Sequence, residues 1–235
     1  MAHRLAHPNL ELLLTAANAL RPLLPEIVFV GGCATGLLIT DPAAAPVRRT
    51  YDVDVIAEIT SYAEYAVFSE RLRALGFEED STEGAPLCRW RESGLLQDVM
   101  PADPAILGFS NRWYVESLQT AAEMRLRDDL SLRIINAPCF LGTKIEAFRG
   151  REQMDYCASH DLEDFIAVVD GRGSILDEVE VCSPALRSFI SEAVGGFLKD
   201  VRFLDAVPGH LLPDDANQAR IGQLLGKLRS LRGEM

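Results

Sequence analysis

The segment Tyr51-Asp52-Val53-Asp54-Val55-Ile56 alternates acids with valines, and this restricts what the chain can fold into more than any other stretch. In a β-strand successive side chains point to opposite faces, so Asp52 and Asp54 share one face and Val53 and Val55 the other. The valine face requires a core. The acid face sets two like charges side by side, which folding alone disfavours. A hard divalent cation such as Mg²⁺ resolves the conflict through carboxylate oxygens. The plain alternative is a solvent-facing strand carrying two incidental acids.

The chain around this strand is that of a folded globular protein. Its 235 residues are 48% hydrophobic and 25% charged, which excludes a disordered tail, a collagen and a coiled coil, and allows one or two domains with a sizeable core. The net charge of −12 argues against coating nucleic acid by charge alone, although a local basic patch remains open. No apolar run approaches the ~18–20 residues of a membrane span, and the first 21 residues do not read as a secretion signal. Cys33, Cys88, Cys139, Cys157 and Cys182 are scattered and form no CxxC pair; they read as reduced, mostly buried thiols of a cytoplasmic protein. His3, His7, His160 and His210 do not cluster with them, so no zinc site is expected.

Spacing and breakers predict a helix over 10–21 with Asn9 as N-cap, a buried strand over 26–30 ending in Gly31-Gly32, and a short helix over 33–39. A proline-containing loop over 41–47 precedes the acidic strand over 51–59. A helix from Ser61 or Tyr62 stops at Gly76. Hairpins are expected over 86–100, turning at Glu92-Ser93-Gly94, and over 122–136, turning at Asp128-Asp129. Helices over 138–148 and 159–169 follow, and the pattern is helical from about 175 on. Strands first and helices second indicate an α+β fold, with an α+β domain over 1–137 and a helical domain over 138–235.

Glycines between a strand and a helix allow a backbone to approach a phosphate, and a helix N-terminus favours anions; a simple strand-to-helix turn is the bland reading. A Gly-Gly turn followed one helix and one loop later by D-x-D resembles the polymerase-β-type nucleotidyltransferases, which implies a third acid on a neighbouring strand. Asp98, alone in the apolar run Gly94–Met100, supplies one, or else is a strand-end residue before Pro101.

More of the chain sharpens the likeness. Val30-Gly31-Gly32-Cys33-Ala34-Thr35-Gly36 resembles the G-G turn and helix of the AbiEii-type nucleotidyltransferase toxins of type IV toxin–antitoxin and abortive-infection systems. Arg48-x-Thr50-x-Asp52-Val-Asp54 is similar to that family's R-x-[ST]-x-D-[IL]-D. Lys144-Ile-Glu-Ala147 resembles its K-x-x-A helix, and His160-Asp161-Leu-Glu-Asp164-Phe165 its R-D-x-x-D-[IL] helix. These motifs cover roughly residues 28–170. His160 stands where the family has arginine, and the C-terminal region is short.

The resemblance implies a polymerase-β-like mixed sheet and transfer of NMP from an NTP to an acceptor hydroxyl with two Mg²⁺ ions. Asp52 and Asp54 would hold both ions. Asp98 would complete the ion nearer the acceptor and could take the hydroxyl proton. The Gly31-Gly32 turn would hold phosphate oxygens, with Arg48 as a further cation and Arg49 as its fallback. Lys144 would reach the triphosphate, or else snorkel at the surface. Asp161 and Asp164, three apart on one helix face, would position Lys144 or the nucleotide, or else be a helix-start charge and a surface acid. Thr50 would orient Asp52 through a hydrogen bond, or be an ordinary strand threonine. The family implies tRNA as acceptor, at its 3′ end, and an antitoxin partner.

Trp90, Trp113, Tyr114 and Phe109 read as core or cleft wall, and Cys33 does not read as a nucleophile. Arg220, Lys227, Arg229 and Arg232 face only Glu234 within 216–235, so this segment either guides RNA or is a solvated helix face. Two other functions stay open: a small-molecule, aminoglycoside-type nucleotidyltransferase, whose polycationic acceptor suits an acidic protein, and a non-catalytic nucleotide-binding regulatory module.

Overall fold

The apolar, β-branched run Ile27-Val-Phe-Val30 forms β1, buried along its whole length, and a mixed sheet grows on both sides of it. The computed structural model describes residues 9–151 and 155–233; His3, His7 and Glu234 lie outside them. The chain divides into two units, Ala2–Ala34 with Arg48–Asn136, and Thr35–Val47 with Ala137–Met235. The architecture is α+β, with the strands in the first unit and a helical C-terminal region.

In the sheet unit, α1 (Leu10–Ala19) ends before a 3₁₀ turn over Arg21–Glu26, where Pro22 begins a tighter winding and shortens the helix expected to run to Arg21. After β1, α2 (Gly31–Leu38) starts at the glycines themselves, two residues earlier than expected, and its residues from Thr35 on belong to the helical unit. The acidic strand is β2 (Asp52–Ala57), with Val53 and Val55 fully buried and Asp52 and Asp54 only partly so. Helix α3 (Tyr62–Ala74) is capped by Ser61, whose hydroxyl accepts from the Glu64 N–H, and gives way to Gly76 at φ +90°.

Strands β3 (Glu78–Glu79), β4 (Arg89–Glu92) and β5 (Leu95–Pro101) follow. The β4–β5 hairpin turns on Ser93 (φ 45°) and Gly94 (φ 86°), the left-handed pair that suits a two-residue loop. Short helices α4 (Pro104–Leu107) and α5 (Tyr114–Thr120) precede the second hairpin, β6 (Ala122–Arg127) with β7 (Leu130–Ile134). The sheet order is β3-β4-β5-β2-β1-β7-β6. Strand β2 runs antiparallel to β1, which precedes it in sequence, and parallel to β5, which follows it. The two-residue β3 and the short α4 and α5 are too brief to show a period in sequence.

The helical unit comprises α6 (Ala137–Gly150), α7 (His160–Gly171), α8 (Ile175–Val181), α9 (Pro184–Phe197), α10 (Val201–Ala206), a 3₁₀ turn over Val207–His210, α11 (Asp215–Gln218) and α12 (Ile221–Leu231). Ser159, Ser183, Asp200 and Asp214 each cap a helix start through a side-chain oxygen. Phe148, Tyr156, Phe165, Phe197 and Phe203 form one aromatic cluster with ring centroids 5.2–6.2 Å apart. The loop after α2 belongs to this unit: Thr40 and Asp41 both donate backbone N–H to the Gly171 carbonyl at 2.9 Å. Among the described residues no helix is long and apolar enough to cross a membrane.

Candidate functional site

The acidic face of the sheet is set by strand register. Asp52 and Asp54 lie on one face of β2, and the parallel pairing of β2 with β5 puts Asp98 directly beside Asp54. The Gln97 amide donates to the Val53 carbonyl at 2.7 Å from a fully buried position, a second tie between these strands within the acidic stretch. All three expected acids therefore come from adjacent strands, two of them from one strand.

A cation already stands among them. Arg89, on β4, pairs with Asp98 in the hairpin register. Its Nε donates to Asp98 Oδ1 at 2.7 Å, and its Nη2 to Asp98 Oδ2 at 2.9 Å and to Asp52 Oδ2 at 2.7 Å. The forked guanidinium matches a carboxylate bidentately and still reaches the second acid. Hydrogen bonding to Asp98 and the charges of Asp98, Asp52 and Asp54 hold the Arg89 proton more tightly than usual. The same surroundings act on Cys88: burial first, then the Asp98 and Asp54 charges, push its thiol up to about 12, so it stays protonated and is no nucleophile at neutral pH.

The glycine turn lies against the acids. Gly31 has φ +66°, and the Asp54 carboxylate occupies the space a Cβ there would need. A Cβ on Gly32 would come within 2.5 Å of Arg48 Nη2 and 2.7 Å of the Thr50 methyl. The absence of both side chains is what lets Asp54 and Arg48 approach the start of α2, where the first-turn N–H groups favour anions. Arg48 is half-buried and Arg49 exposed. Thr50 is buried; its hydroxyl has no hydrogen-bond partner among the described residues. The expected hydrogen bond from Thr50 to Asp52 is not formed, because the Thr50 methyl turns toward Gly32.

Asn9 corrects another expectation. It precedes α1 but makes no side-chain cap. Its amide instead donates to the Arg48 carbonyl at 3.1 Å and accepts from the Thr50 N–H at 2.9 Å. A buried side chain 39 residues upstream thus fixes the backbone leading into Asp52.

The helical unit holds its own charged cluster. Lys144, on α6, lies 2.7 Å from Asp164 Oδ2 and 3.2 Å from Asp161 Oδ1, both on α7. All three are buried, so Lys144 does not snorkel and Asp164 is no surface acid. Arg151 makes a 2.9 Å charge contact with Asp161 Oδ2, without the alignment of a hydrogen bond. His160, where the resembled family has arginine, is exposed and contacts Glu163 at 3.2 Å. Two of the C-terminal cations are internal. Arg220 pairs with Asp41 at 2.7 Å and Asp170 at 2.8 Å, and Lys227 donates to the carbonyls of Val169, Asp170 and Arg172 at the end of α7. Trp90 and Trp113 are buried as expected, whereas Phe109 is exposed.

The donor set of Asp52, Asp54 and Asp98 consists of carboxylate oxygens alone, the chemistry a hard divalent ion prefers. Among the described residues no three His, Cys, Asp or Glu side chains stand together as a ready-made metal site; Arg89 bridges Asp52 and Asp98. Sequence reading missed Arg89, Asn9 and Gln97. For Arg89 the signal existed, since the Ser93-Gly94 turn fixes which residue faces Asp98. For Asn9 and Gln97 none did.

No protein-family profile matches the chain, and a search of curated proteins returns no match. Among solved structures it is similar to an antigenic nucleotidyltransferase-like protein from Paracoccidioides brasiliensis, with 20% sequence identity, a TM-score of 0.47, and 85% of this chain and 93% of that chain covered.

Proposed function

We propose that the protein is a Mg²⁺-dependent nucleotidyltransferase that moves NMP from an NTP to an acceptor hydroxyl. The observation that carries the reading is the placement of Asp52, Asp54 and Asp98 on adjacent strands, with the Asp54 carboxylate against the Gly31-Gly32 turn. Asp52, Asp54 and Asp98 would hold the ion, which when bound supplies Lewis-acid stabilisation of the leaving oxygen and lowers the pKa of the acceptor hydroxyl. The start of α2 and the Arg48 guanidinium would bind phosphate oxygens. Asp98 would accept the hydroxyl proton. The expected use of Lys144 on a triphosphate, with Asp161 and Asp164 orienting it, is part of the proposal.

The acceptor we propose is the 3′ end of tRNA, in a cytoplasmic toxin neutralised by an antitoxin, as the motif resemblance implies. A small polycationic acceptor is the second reading. The net charge of −12 and the internal pairing of Arg220 and Lys227 favour it, because both leave less positive surface for a polyanion.

The test is incubation with each labelled NTP, Mg²⁺ and either total tRNA or an aminoglycoside, with the Asp54→Asn variant alongside. Label on tRNA, lost in the variant, is the expected result. Label on the aminoglycoside alone selects the second reading. No transfer to either acceptor, with nucleotide binding unchanged in the variant, leaves a regulatory module.

A further inference from the structure

The Arg89 bridge bears on how the acidic cluster handles a cation. Folding brings three carboxylates to one face, and the hairpin brings a guanidinium to the same place. This is no loose surface pair: the Arg89 and Asp98 side chains retain 20% and 10% of their exposure. Both Asp98 oxygens and Asp52 Oδ2 accept hydrogen bonds from Arg89. Lone pairs spent on a guanidinium are withdrawn from a metal, and a divalent ion sharing those oxygens would sit against a fixed positive charge. The position of Arg89 is not adjustable by register, because the Ser93-Gly94 turn and four consecutive residue pairs fix it opposite Asp98.

We infer that Arg89 is an internal counter-cation that competes with the divalent ion for Asp52 and Asp98, so that the bridge must open before the ion binds. The inference rests on the reading that these carboxylates hold a divalent ion. It adds that metal affinity in this chain is set by an arginine as well as by the acids. In the metal-free protein the same arginine neutralises carboxylates that would otherwise repel one another. Ion and bridge are then negatively coupled, and removing the arginine removes the competition.

The experiment is titration of the full chain with Mn²⁺, free Mn²⁺ being followed by its electron paramagnetic resonance signal, for wild type, Arg89→Gln, Arg89→Lys and Asp98→Asn. Arg89→Gln is expected to bind Mn²⁺ about tenfold more tightly than wild type. Arg89→Lys, which keeps the charge and loses the fork, is expected to fall between them. Mn²⁺ is also expected to raise the melting temperature of Arg89→Gln more than that of wild type. Equal affinity in wild type and Arg89→Gln, with weaker binding in Asp98→Asn, overturns the inference while leaving the metal reading intact. Binding that Asp98→Asn does not change overturns both. Should Arg89→Gln fail to fold, Arg89→Lys decides, and unchanged affinity there overturns the inference.

Discussion

The Asp54 carboxylate fills the space that a Cβ on Gly31 would need. Gly31 is thus required twice over, by its φ of +66° and by the acid lying on it. The left-handed conformation alone costs a non-glycine residue about 1–2 kcal/mol. Gly31→Ala is expected to lose at least that in chemical denaturation, and to displace Asp54 as well. A denaturation midpoint equal to wild type would show that Asp54 does not lie against the turn.

Asn9 holds the backbone ahead of Asp52 with two hydrogen bonds. Asn9→Ala leaves the Arg48 carbonyl and the Thr50 N–H without that partner, at about 1–3 kcal/mol. A urea titration measures the loss. Asn9→Asp keeps the acceptor for Thr50 and removes the donor to Arg48, and is expected to fall between the two. If Asn9 were a plain helix cap, aspartate would serve as well as asparagine.

Lys144 is the buried partner of two buried carboxylates, Asp161 and Asp164. Removing one side of such a pair strands the other, typically at about 3–5 kcal/mol. Lys144→Met is expected to cost that much. Adding Asp161→Asn and Asp164→Asn to it should restore much of the stability, since no uncompensated charge then remains. In a folded preparation of Lys144→Met, a higher KM for NTP would mark a contact with the triphosphate beyond the structural role; an unchanged KM would confine Lys144 to its carboxylates.

Two neighbouring acids on a strand suggest that neutralising either one relieves repulsion. The Arg89 bridge removes that expected gain at Asp52 and makes Asp98, on the neighbouring strand, a costly acid to neutralise. Asp98 accepts two hydrogen bonds from Arg89 at a nearly buried position, and Asp98→Asn is expected to destabilise by about 2 kcal/mol. Asp52 is more exposed and accepts one, so Asp52→Asn should stay within about 1 kcal/mol of wild type. Equal costs, or a gain in stability for Asp98→Asn, would contradict the bridge.

Glu26 accepts two hydrogen bonds from Arg71, both at 2.6 Å, and these with the Arg71 charge lower its pKa from the ordinary 4.5 despite some opposing burial. A carboxylate depressed in the folded state stabilises it fully above the unfolded value and loses that contribution as pH falls through the folded value. Melting temperatures taken from about pH 6 down to about pH 3 should therefore fall less steeply for Glu26→Gln than for wild type. Parallel acid limbs would show that the pair contributes nothing on folding.

The acid–valine alternation of 51–56 was enough to place a strand, its buried face and the shared direction of Asp52 and Asp54, because a two-residue period is a property of local backbone geometry. Glycine and turn chemistry likewise marked the Gly31-Gly32 turn and both hairpins. Only the fold decided what meets those acids. The parallel pairing of β2 with β5 set Asp98 beside Asp54, the hairpin register aimed Arg89 at Asp98 and Asp52, and Asn9 and Gln97 reached backbone atoms 39 to 44 residues away. Period and turn type are written in neighbouring residues, whereas strand order and long-range hydrogen bonds depend on which segments bury one another. For the same reason Lys144 and Lys227, alike as lysines in sequence, ended respectively between two buried carboxylates and on the last carbonyls of a helix.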